Sequence, residues 1–251
     1  IKIYSYQMFS FFKKKNSQTH KLCYEVDLHS HILPGIDDGS PNTEKSIGLI
    51  REMQNWGIRK IIATPHIAEE TFENTPETIK NAWDLLKTAL KSEGIEQEIC
   101  YSAEYRIDDG FIRMFESNQL IPLPDNYLLV ENSFIQAFWN LDELLFQLQL
   151  KEFKPILAHP ERYAYYHNQK NIYTTMHNNG CAFQVNLLSF YGYYGKSVKE
   201  AAFWLAEQGY IDFLGTDLHN MNHVQAISNF LTTKDYTKLI SKINIKNDML
   251  K

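Results

Sequence analysis

The chain has 251 residues, of which 44% are hydrophobic and 22% charged, and its formal net charge is −5 at pH 7. This composition is typical of a globular protein with a substantial core, and the scattered lysines form no basic face of the kind that binds nucleic acid. No apolar run reaches the roughly 18 residues of a membrane-spanning helix, so we expect no stable membrane insertion.

The cysteines and the N-terminal residues bear on the cell compartment. Cys23, Cys100 and Cys181 are far apart and form no CxxC motif, which favours reduced thiols in a cytoplasmic protein. Residues 1–23 include an aromatic and then basic stretch, IKIYSYQMFSFFKKK. We expect a poorly ordered or weakly docked tail there, because the apolar part is too short for a membrane anchor and the order of charge is wrong for a signal peptide.

From Tyr24 onward, strand-like segments alternate with helical ones. In chain order the strand-like segments are YEVDLHSH, IRKIIATPH, EQEICYSAEY, NYLLVENS, KPILAHPE, CAFQVNLLS and IDFLGTDLH. Between them, apolar residues at 3–4 spacing predict helices over 43–56, 76–92, 141–150, 168–179 and 198–208.

This alternation predicts the fold class. Short apolar strands that are each followed by a helix indicate a parallel sheet buried on both faces. Seven such units without interruption, and no Gly-rich phosphate loop after the first strand, favour a (β/α) barrel over an open doubly wound sheet. We predict a single domain over residues 24–251.

Polar side chains occur where the predicted strands end, which is where a barrel of this type places its active site. Six strands end in residues that can bind a metal ion, whereas the sixth in order ends in Gln184 and Asn186, which are poor ligands. The candidates are His29, His31, Asp37, Asp38, His66, Glu104, Glu131, His159, Asp217 and His219. Taken singly, each has an ordinary structural explanation, although the two histidines of HSH point to the same face of a strand. The other histidines, His20, His167, His177 and His223, are predicted to be surface or structural residues.

Taken together, the candidates predict a metal centre. If one aspartate of the Asp37–Asp38 pair is counted, the set has five histidines and four carboxylates. Four carboxylates at one rim would repel one another strongly, and divalent cations remove that repulsion. Nine ligands suit three ions with one carboxylate bridging two of them, and the mixture of imidazole and carboxylate favours Mn, Fe or Zn over Ca or Mg. Such a site would keep a net positive charge that suits a phosphate dianion.

The motifs resemble those of the PHP superfamily, named for polymerase and histidinol phosphatase domains. HSH, TPH, AE, VEN, HPER and a final DLH occur in that order. Within the superfamily, DLHSHILPGIDDGS, ILAHPERY and QVNLLS are similar to the bacterial metal-dependent protein tyrosine phosphatases of capsule and exopolysaccharide operons. The resemblance spans about Val26 to about Asn220 and implies the PHP fold, a distorted (β/α)7, TIM-like barrel.

The resemblance also implies three metal positions, with Mn expected first and Fe or Zn as alternatives. The three sets of ligands are His29, His31, Glu104 and Asp217; Glu104, Glu131 and His159; and Asp38, His66 and His219. Glu104 would bridge the first two ions, and Asp37 would serve the turn rather than a metal.

An arginine completes the implied site. Arg162 in HPERY falls where the family places a phosphate-contacting arginine, and a guanidinium matches phosphate oxygens bidentately. The family often carries a second arginine after the final DLH. Here Asn222 and His223 stand in that loop, so the role is empty or weakened unless Arg106 substitutes for it.

The expected reaction is hydrolysis of a phosphate monoester by a metal-bound hydroxide, with Asp217 or His219 handling the proton of the leaving group. The expected partner is a phosphotyrosine protein, namely the tyrosine-rich tail of a capsule-type kinase. Two alternatives stay open: a small-molecule phosphatase for histidinol phosphate or a nucleotide, and a non-catalytic metal-binding module that docks a kinase. Aromatic residues are dense in the predicted loops and form either a platform for a phosphotyrosine ring or loop packing. They are Tyr105, Phe134, Phe138, Trp139, Tyr163, Tyr165, Tyr166, Tyr191, Tyr193 and Tyr194.

One motif suggests a different chemistry. CYSAEYR, from Cys100 to Arg106, has the C-x5-R spacing of cysteine-dependent tyrosine phosphatases. That chemistry needs a Gly-rich loop of backbone amides at a helix N-terminus. The segment has a strand pattern, contains Glu104 and has no glycine, so we attribute the spacing to chance.

Overall fold

Parallel pairing joins the strands of the computed structural model, which describes residues 20–251. The strands are β1 (Val26–Asp27), β2 (Lys60–Ala63), β3 (His66–Ile67), β4 (Glu98–Tyr101), β5 (Glu104–Arg106), β6 (Tyr127–Glu131), β7 (Lys154–Ala158), β8 (Ala182–Asn186) and β9 (Phe213–Gly215). One sheet has the order β1-β2-β4, and the other has the order β3-β5-β6-β7-β8-β9. Each predicted strand segment therefore contributes to a mixed α/β fold with a parallel sheet.

Two of the predicted strands are broken in the middle. IRKIIATPH forms β2 and β3 with Pro65 between them, and proline has no N–H to donate to a ladder. EQEICYSAEY forms β4 and β5. Pairing continues across both breaks, since the Ser102 N–H donates to the Ala63 carbonyl at 2.9 Å and the Glu104 N–H donates to the Pro65 carbonyl at 3.0 Å. The two sheets thus follow one another as one curled parallel sheet.

The outer strands of this curl, β1 and β9, meet along a seam. Ser30 and Leu218 form a parallel bridge just beyond the two strands. The Asp217 N–H donates to the His29 carbonyl at 2.9 Å. The seam therefore places the first predicted ligands beside the last ones.

A buried asparagine holds the other end of the seam. The Oδ1 of Asn247 accepts a hydrogen bond from the Leu214 N–H at 3.0 Å, and its Nδ2 donates to the carbonyls of Val26 and Leu214 at 3.0 and 2.8 Å. One side chain thus forms hydrogen bonds with backbone groups of both β1 and β9, at a position where the two strands do not pair directly.

Residues of the central strands alternate between two apolar layers. In β6, Leu128 and Val130 pack in the larger core beneath the helices, whereas Leu129 packs with Ile156 and Phe213 in a smaller core inside the curl. The sheet is therefore buried on both faces, as the continuous apolar strands predict. Residues in step with Leu129 face the inside of the curl.

Helices cover the outer face of the sheet. They are α1 (Thr43–Asn55), α2 (Pro76–Ser92), α3 (Asp109–Glu116), α4 (Leu141–Leu150), α5 (Lys170–Asn178), α6 (Leu187–Tyr191), α7 (Lys196–Gln208), α8 (Met221–Leu231) and α9 (Lys234–Ile240). Side-chain caps start several of them: Asn42 accepts from the Lys45 N–H, and Thr75 and Thr78 form a capping box ahead of α2. The predicted bounds of α2 and α4 are confirmed, those of α1, α5 and α7 differ by one or two residues, and α3, α6, α8 and α9 were not predicted.

The expected N-terminal tail, residues 1–23, lies mostly outside the described residues. Within the described part, Leu22 is buried and its N–H donates to the Trp56 carbonyl at 2.9 Å. The boundary of the domain at residue 24 stays a prediction. Among residues 20–251, none of the helices combines the length and apolar character that a membrane crossing requires.

Replacing Asn247 with alanine should destabilise the fold through the seam. The change leaves backbone groups of Val26 and Leu214 buried and unpaired, so we expect the free energy of unfolding to fall by about 3 kcal/mol. Urea unfolding followed by circular dichroism measures this. The matched control is Asn244→Ala at an exposed position, which should change stability by less than ~0.5 kcal/mol. Equal unfolding midpoints for the two variants would contradict the role of the seam.

Candidate metal centre and active site

The nine predicted ligands lie together at the carboxyl ends of the strands. Donor atoms within each of four overlapping groups are within 4.8 Å of one another. The groups are His31, Asp38, His66 and His219; His29, His31 and Glu104; His29, His159 and Asp217; and His66, Glu104 and Glu131. Each of the nine occurs in at least one group. Most of them are buried, and Asp38 is exposed at the mouth of the site.

The backbone directs these side chains inward. Glu131 is in step with Leu129 and so faces the inside of the curl. Ala158 also faces inward, so regular alternation would turn His159 away. His159 instead has a left-handed φ of 33°, and Asp217 has a φ of 47°. Such conformations cost about 1–3 kcal/mol each in a residue other than glycine, so the surrounding structure must hold them.

Glu104 lies at the centre of the cluster. Its Oε2 is 3.2 Å from the Nε2 of His29, 3.4 Å from the Nε2 of His31 and 3.0 Å from the Nδ1 of His66. Its Oε1 is 2.8 Å from the Nε2 of His159. One carboxylate thus faces four imidazoles, which is the placement that a bridging ligand requires.

Asp217 closes the same group from the seam. Its Oδ1 is 3.4 Å from the Nε2 of His29 and 3.3 Å from the Nε2 of His31. These two ring nitrogens are themselves only 3.3 Å apart. Since two lone pairs repel at this distance, either a proton on one of the two nitrogens or a metal ion must lie between them.

Two smaller groups flank this centre. On one side, Glu131 lies 3.6 Å from His159 and 3.5 Å from His66. On the other side, the Oδ1 of Asp38 is 3.5 Å from the Nε2 of His66 and 3.4 Å from the Nε2 of His219. His66 therefore stands between the two groups and presents one ring nitrogen to each.

Electrostatics keep Glu104 ionised in spite of its burial. Burial disfavours the charged form of Glu104, but His29 and His66 hold its pKa well below the usual range. Burial likewise opposes charging of His66, but Glu104 raises its pKa to about 10. The hydrogen bond from His219 lowers the pKa of Asp38 to about 2. The cluster thus requires positive charge, which protons supply when no cation is bound.

The donor set fits divalent cations. The Oε2 of Glu104 and the Nδ1 of His66 are buried without a well-formed hydrogen bond among the described residues. Buried polar atoms are rarely left in that state, and atoms that ligate an ion are a common exception. Imidazole nitrogens mixed with carboxylate oxygens are the ligands of Mn, Fe and Zn. The cluster is able to hold metal.

An amide pair supports the cluster, and the sequence analysis missed it. Asp217 can only accept hydrogen bonds, so the Nδ2 of Asn186 donates to its Oδ2 at 2.7 Å. The Oδ1 of Asn186 then accepts from the Nε2 of Gln184 at 2.8 Å, and the Oε1 of Gln184 accepts from the Nδ1 of His29 at 2.6 Å. This chain of bonds places the proton of His29 on Nδ1 and leaves its Nε2 free to bind an ion. Gly215 leaves room for this chain of hydrogen bonds, because a Cβ at that position would overlap the amide of Gln184.

Two other histidines are oriented in the same way. Asp37 has one carboxylate oxygen 2.8 Å from the Nδ1 of His31, and its other oxygen accepts from the Gly39 N–H at 3.0 Å. It therefore serves the turn, as predicted, and also orients a histidine, which was not predicted. The Nδ1 of His219 donates to the Asp217 carbonyl at 2.9 Å, which turns its Nε2 toward Asp38.

Arg162 is held between two aromatic rings beside the cluster. Its guanidinium carbon is 4.4 Å from the ring centroid of Phe134 and 4.2 Å from that of Tyr194. One guanidinium nitrogen donates to the Oδ2 of Asp217 at 3.2 Å. Stacking and the ion pair fix the guanidinium beside the cluster.

A cavity of about 290 Å³ gives access to these groups. Its walls are Asp38, His66, Glu131, Phe134, His159, Arg162, Tyr194, Asp217, His219, Asn220 and His223. His223, predicted to be structural or on the surface, is buried in this wall with its Nδ1 3.1 Å from the Asp217 carbonyl. Arg106, the possible substitute for a second arginine, instead donates to the Glu69 carbonyl at 2.7 Å and is not part of the wall.

The C-x5-R segment forms no phosphate loop. Cys100 lies on β4 and Arg106 ends β5, so the residues between them belong to the two strands and to their connection. The geometry agrees with the sequence argument against cysteine chemistry.

Known proteins with similar sequences are tyrosine phosphatases. "Tyrosine-protein phosphatase YwqE" of Bacillus subtilis is 34% identical over 197 residues, which are 78% of this chain and 78% of YwqE. "Tyrosine-protein phosphatase CpsB" of Streptococcus pneumoniae is 27% identical over 203 residues, which are 78% of this chain and 84% of CpsB.

The fold has a solved counterpart as well. A crystal structure from a set described as YwqE from Bacillus subtilis and CpsB from Streptococcus pneumoniae, metal-dependent tyrosine phosphatases, matches with a TM-score of 0.75 and 31% identity. The match covers 86% of this chain and 91% of the other chain.

The family match spans nearly all of the described residues. Residues 25–250 match the family "Capsular polysaccharide synthesis, CpsB/CapC". This confirms the resemblance drawn from the motifs. The chain therefore belongs to the CpsB/CapC family of capsular polysaccharide synthesis.

Proposed function

We propose that this protein is a metal-dependent tyrosine phosphatase of capsule or exopolysaccharide synthesis. The observation that carries the proposal is the convergence of nine histidine and carboxylate side chains at one site, where six of them line a single cavity together with Arg162. The names of the relatives, all tyrosine phosphatases, support the same reaction. The substrate we assign is the tyrosine-rich tail of a capsule-type kinase. The free thiols of Cys23, Cys100 and Cys181 fit the cytoplasm as the site of that reaction.

We assign three divalent ions to the cluster, with Mn first and Fe or Zn as alternatives. The buried group around Glu104 would hold the first ion, and Glu104 would also be a ligand of the second. Short separations between the donors support the three sets, which are His29, His31, Glu104 and Asp217; Glu104, Glu131 and His159; and Asp38, His66 and His219. When bound, such ions lower the pKa of water to supply a nucleophile and offset the charge of the phosphate.

The residues of the chain then have separate tasks. Arg162, fixed between its two rings, binds phosphate oxygens and stabilises the charge that develops on them. Asp217 orients that guanidinium. Asp217 and His219 also lie on the cavity wall, where either can handle the proton of the departing phenolate, which needs little acid help.

The fold that carries this site is, in our interpretation, a distorted (β/α)7 barrel. Counting β2 with β3 and β4 with β5 gives seven strands in chain order, and the seam between β1 and β9 supports closure of the curl. The domain would extend over residues 24–251.

Neither alternative function is favoured. The relatives are named as tyrosine phosphatases and not as small-molecule phosphatases. A non-catalytic metal-binding module has no need of an arginine that is stacked, charge-paired and aimed into the cavity.

Loss of the metal should abolish activity, and loss of the cysteine should not. We expect His31→Ala, or treatment of the wild type with a chelator, to lower turnover of p-nitrophenyl phosphate at least ~10³-fold, because His31 belongs to two of the donor groups. Cys100→Ser is the control and should keep most of the activity. An active His31→Ala variant and an inactive Cys100→Ser variant would reverse the assignment.

Substrate class can be tested with two phosphate esters. We expect kcat/KM for a phosphotyrosine peptide to exceed that for histidinol phosphate at least ~100-fold, since only the aryl ester carries its phosphate directly on a phenyl ring, which can pack against Phe134 and departs as a phenolate. Steady-state phosphate release from both compounds, at the same Mn²⁺ concentration, measures the ratio. A preference for histidinol phosphate would defeat the tyrosine phosphatase assignment.

Gln184→Leu should weaken metal binding without removing a ligand. Leucine cannot accept the proton of His29, so the ring loses the bond that keeps its Nε2 free, and we expect Mn²⁺ affinity to fall about 10–100-fold. Titration calorimetry on metal-depleted protein measures the affinity directly. Gln147→Leu on α4 is the matched control, since its exposed amide pairs only with Glu143. Equal affinities in the two variants would rule out the supporting role of the amide pair.

A further inference from the structure

A short uncharged segment beside the cavity exposes large apolar side chains. Residues 133–140, which follow β6 and which we call the rim segment, read SFIQAFWN and contain no charged residue. Ile135 is 87% exposed and Trp139 is 86% exposed, while Phe134 is 48% exposed. A cluster of large apolar side chains in contact with water is energetically unfavourable, and folded proteins normally avoid it. Where such a cluster occurs, it marks a binding surface.

The rim segment is held in this position by its own contacts. The Tyr165 hydroxyl donates to the Ser133 carbonyl at 2.9 Å, and the side-chain oxygen of Asn132 accepts from the Phe138 N–H at 3.3 Å. Phe138 packs partly against the main core. These contacts anchor the loop, so that Ile135 and Trp139 are held in exposed positions.

The exposed surface is continuous with the cavity. Phe134 is part of the cavity wall, and its ring lies 4.4 Å from the guanidinium carbon of Arg162. Ile135 follows it directly in the chain, and neither Ile135 nor Trp139 is part of the wall. An apolar surface thus begins inside the cavity and extends outward to the solvent.

We propose that Ile135 and Trp139, together with Phe134, form a docking surface for the polypeptide that carries the phosphotyrosine. The inference rests on the proposed function. A cavity of about 290 Å³ admits one phosphorylated side chain but not the polypeptide attached to it. The neighbours of that tyrosine must therefore lie at the rim, and the rim segment offers them apolar contact.

Negative charge next to the docking surface restricts which molecules can bind there. Asp142 and Glu143, both exposed, follow at the start of α4. They repel acidic residues and the anionic headgroups of a lipid surface. The occupant with the best fit is a substrate segment whose phosphotyrosine has apolar or aromatic neighbours and no acidic ones.

The test compares two phosphotyrosine peptides and p-nitrophenyl phosphate in the Mn²⁺-loaded enzyme. One peptide has apolar residues on both sides of the phosphotyrosine, and the other has glycine and serine there. For Trp139→Ala and for Ile135→Ala we expect the ratio of kcat/KM for the apolar peptide to that for p-nitrophenyl phosphate to fall about tenfold, mostly through KM. The two variants should also prefer the apolar peptide over the glycine and serine peptide less strongly than the wild type does. Leu85→Ala, an exposed apolar residue on α2, is the control and should leave the ratio unchanged.

Several results would overturn the proposal, and they separate it from the proposed function. Unchanged ratios in both variants would remove the docking surface while leaving the phosphatase assignment intact. If the wild type hydrolysed p-nitrophenyl phosphate but neither peptide, both proposals would fall together. A dimer that Trp139→Ala converts to a monomer would assign the surface to a second copy of the chain. Binding to phosphatidylglycerol vesicles that Trp139→Ala abolishes would assign it to a membrane.

Discussion

Glu104 and Asp217 are buried carboxylates that lie among five imidazole rings. Most of the architecture follows from the need to hold these groups together. A buried carboxylate is tolerated only where positive charge and hydrogen bonds meet it. The strands bring the imidazoles to Glu104, and the seam brings His29 to Asp217. Around them, amide and carboxylate groups set the ring orientations, so that the centre is organised before any substrate arrives.

The seven strand segments and the position of the site could be predicted because both depend on short-range patterns. Apolar runs of strand length, each ending in an ionisable residue, need no knowledge of distant contacts. The breaks in the strands were harder. Pro65 is a local signal for one of them, but nothing in the sequence around Ser102 marks the other. Helices α3 and α6 have 8 and 5 residues, too short for a 3.6-residue period to stand out, and α6 follows β8 directly.

The candidate ligands could be predicted as a set from their positions at the strand ends, whereas the residues that hold them could not. Gln184 and Asn186 were set aside as poor ligands, although their spacing of two at a strand end places both on the same face. That spacing was the available signal for a supporting pair. Phe134 and Tyr194 were two of many aromatic residues in the predicted loops, and only the fold shows that these two enclose Arg162 while Tyr105 and Tyr163 pack in the core.

Because β1 meets β9 along the seam, the first strand cannot complete its native contacts until the last strand has folded. Val26 and Asn247, which the seam joins, are 221 residues apart in the chain, and closing so long a loop carries an entropic cost that only the finished contacts repay. During synthesis His29 and His31 leave the ribosome long before Asp217 and Asn247. The cluster of candidate ligands therefore assembles late in folding. A nascent chain that stops before Asn247 carries these side chains without the seam that holds them together.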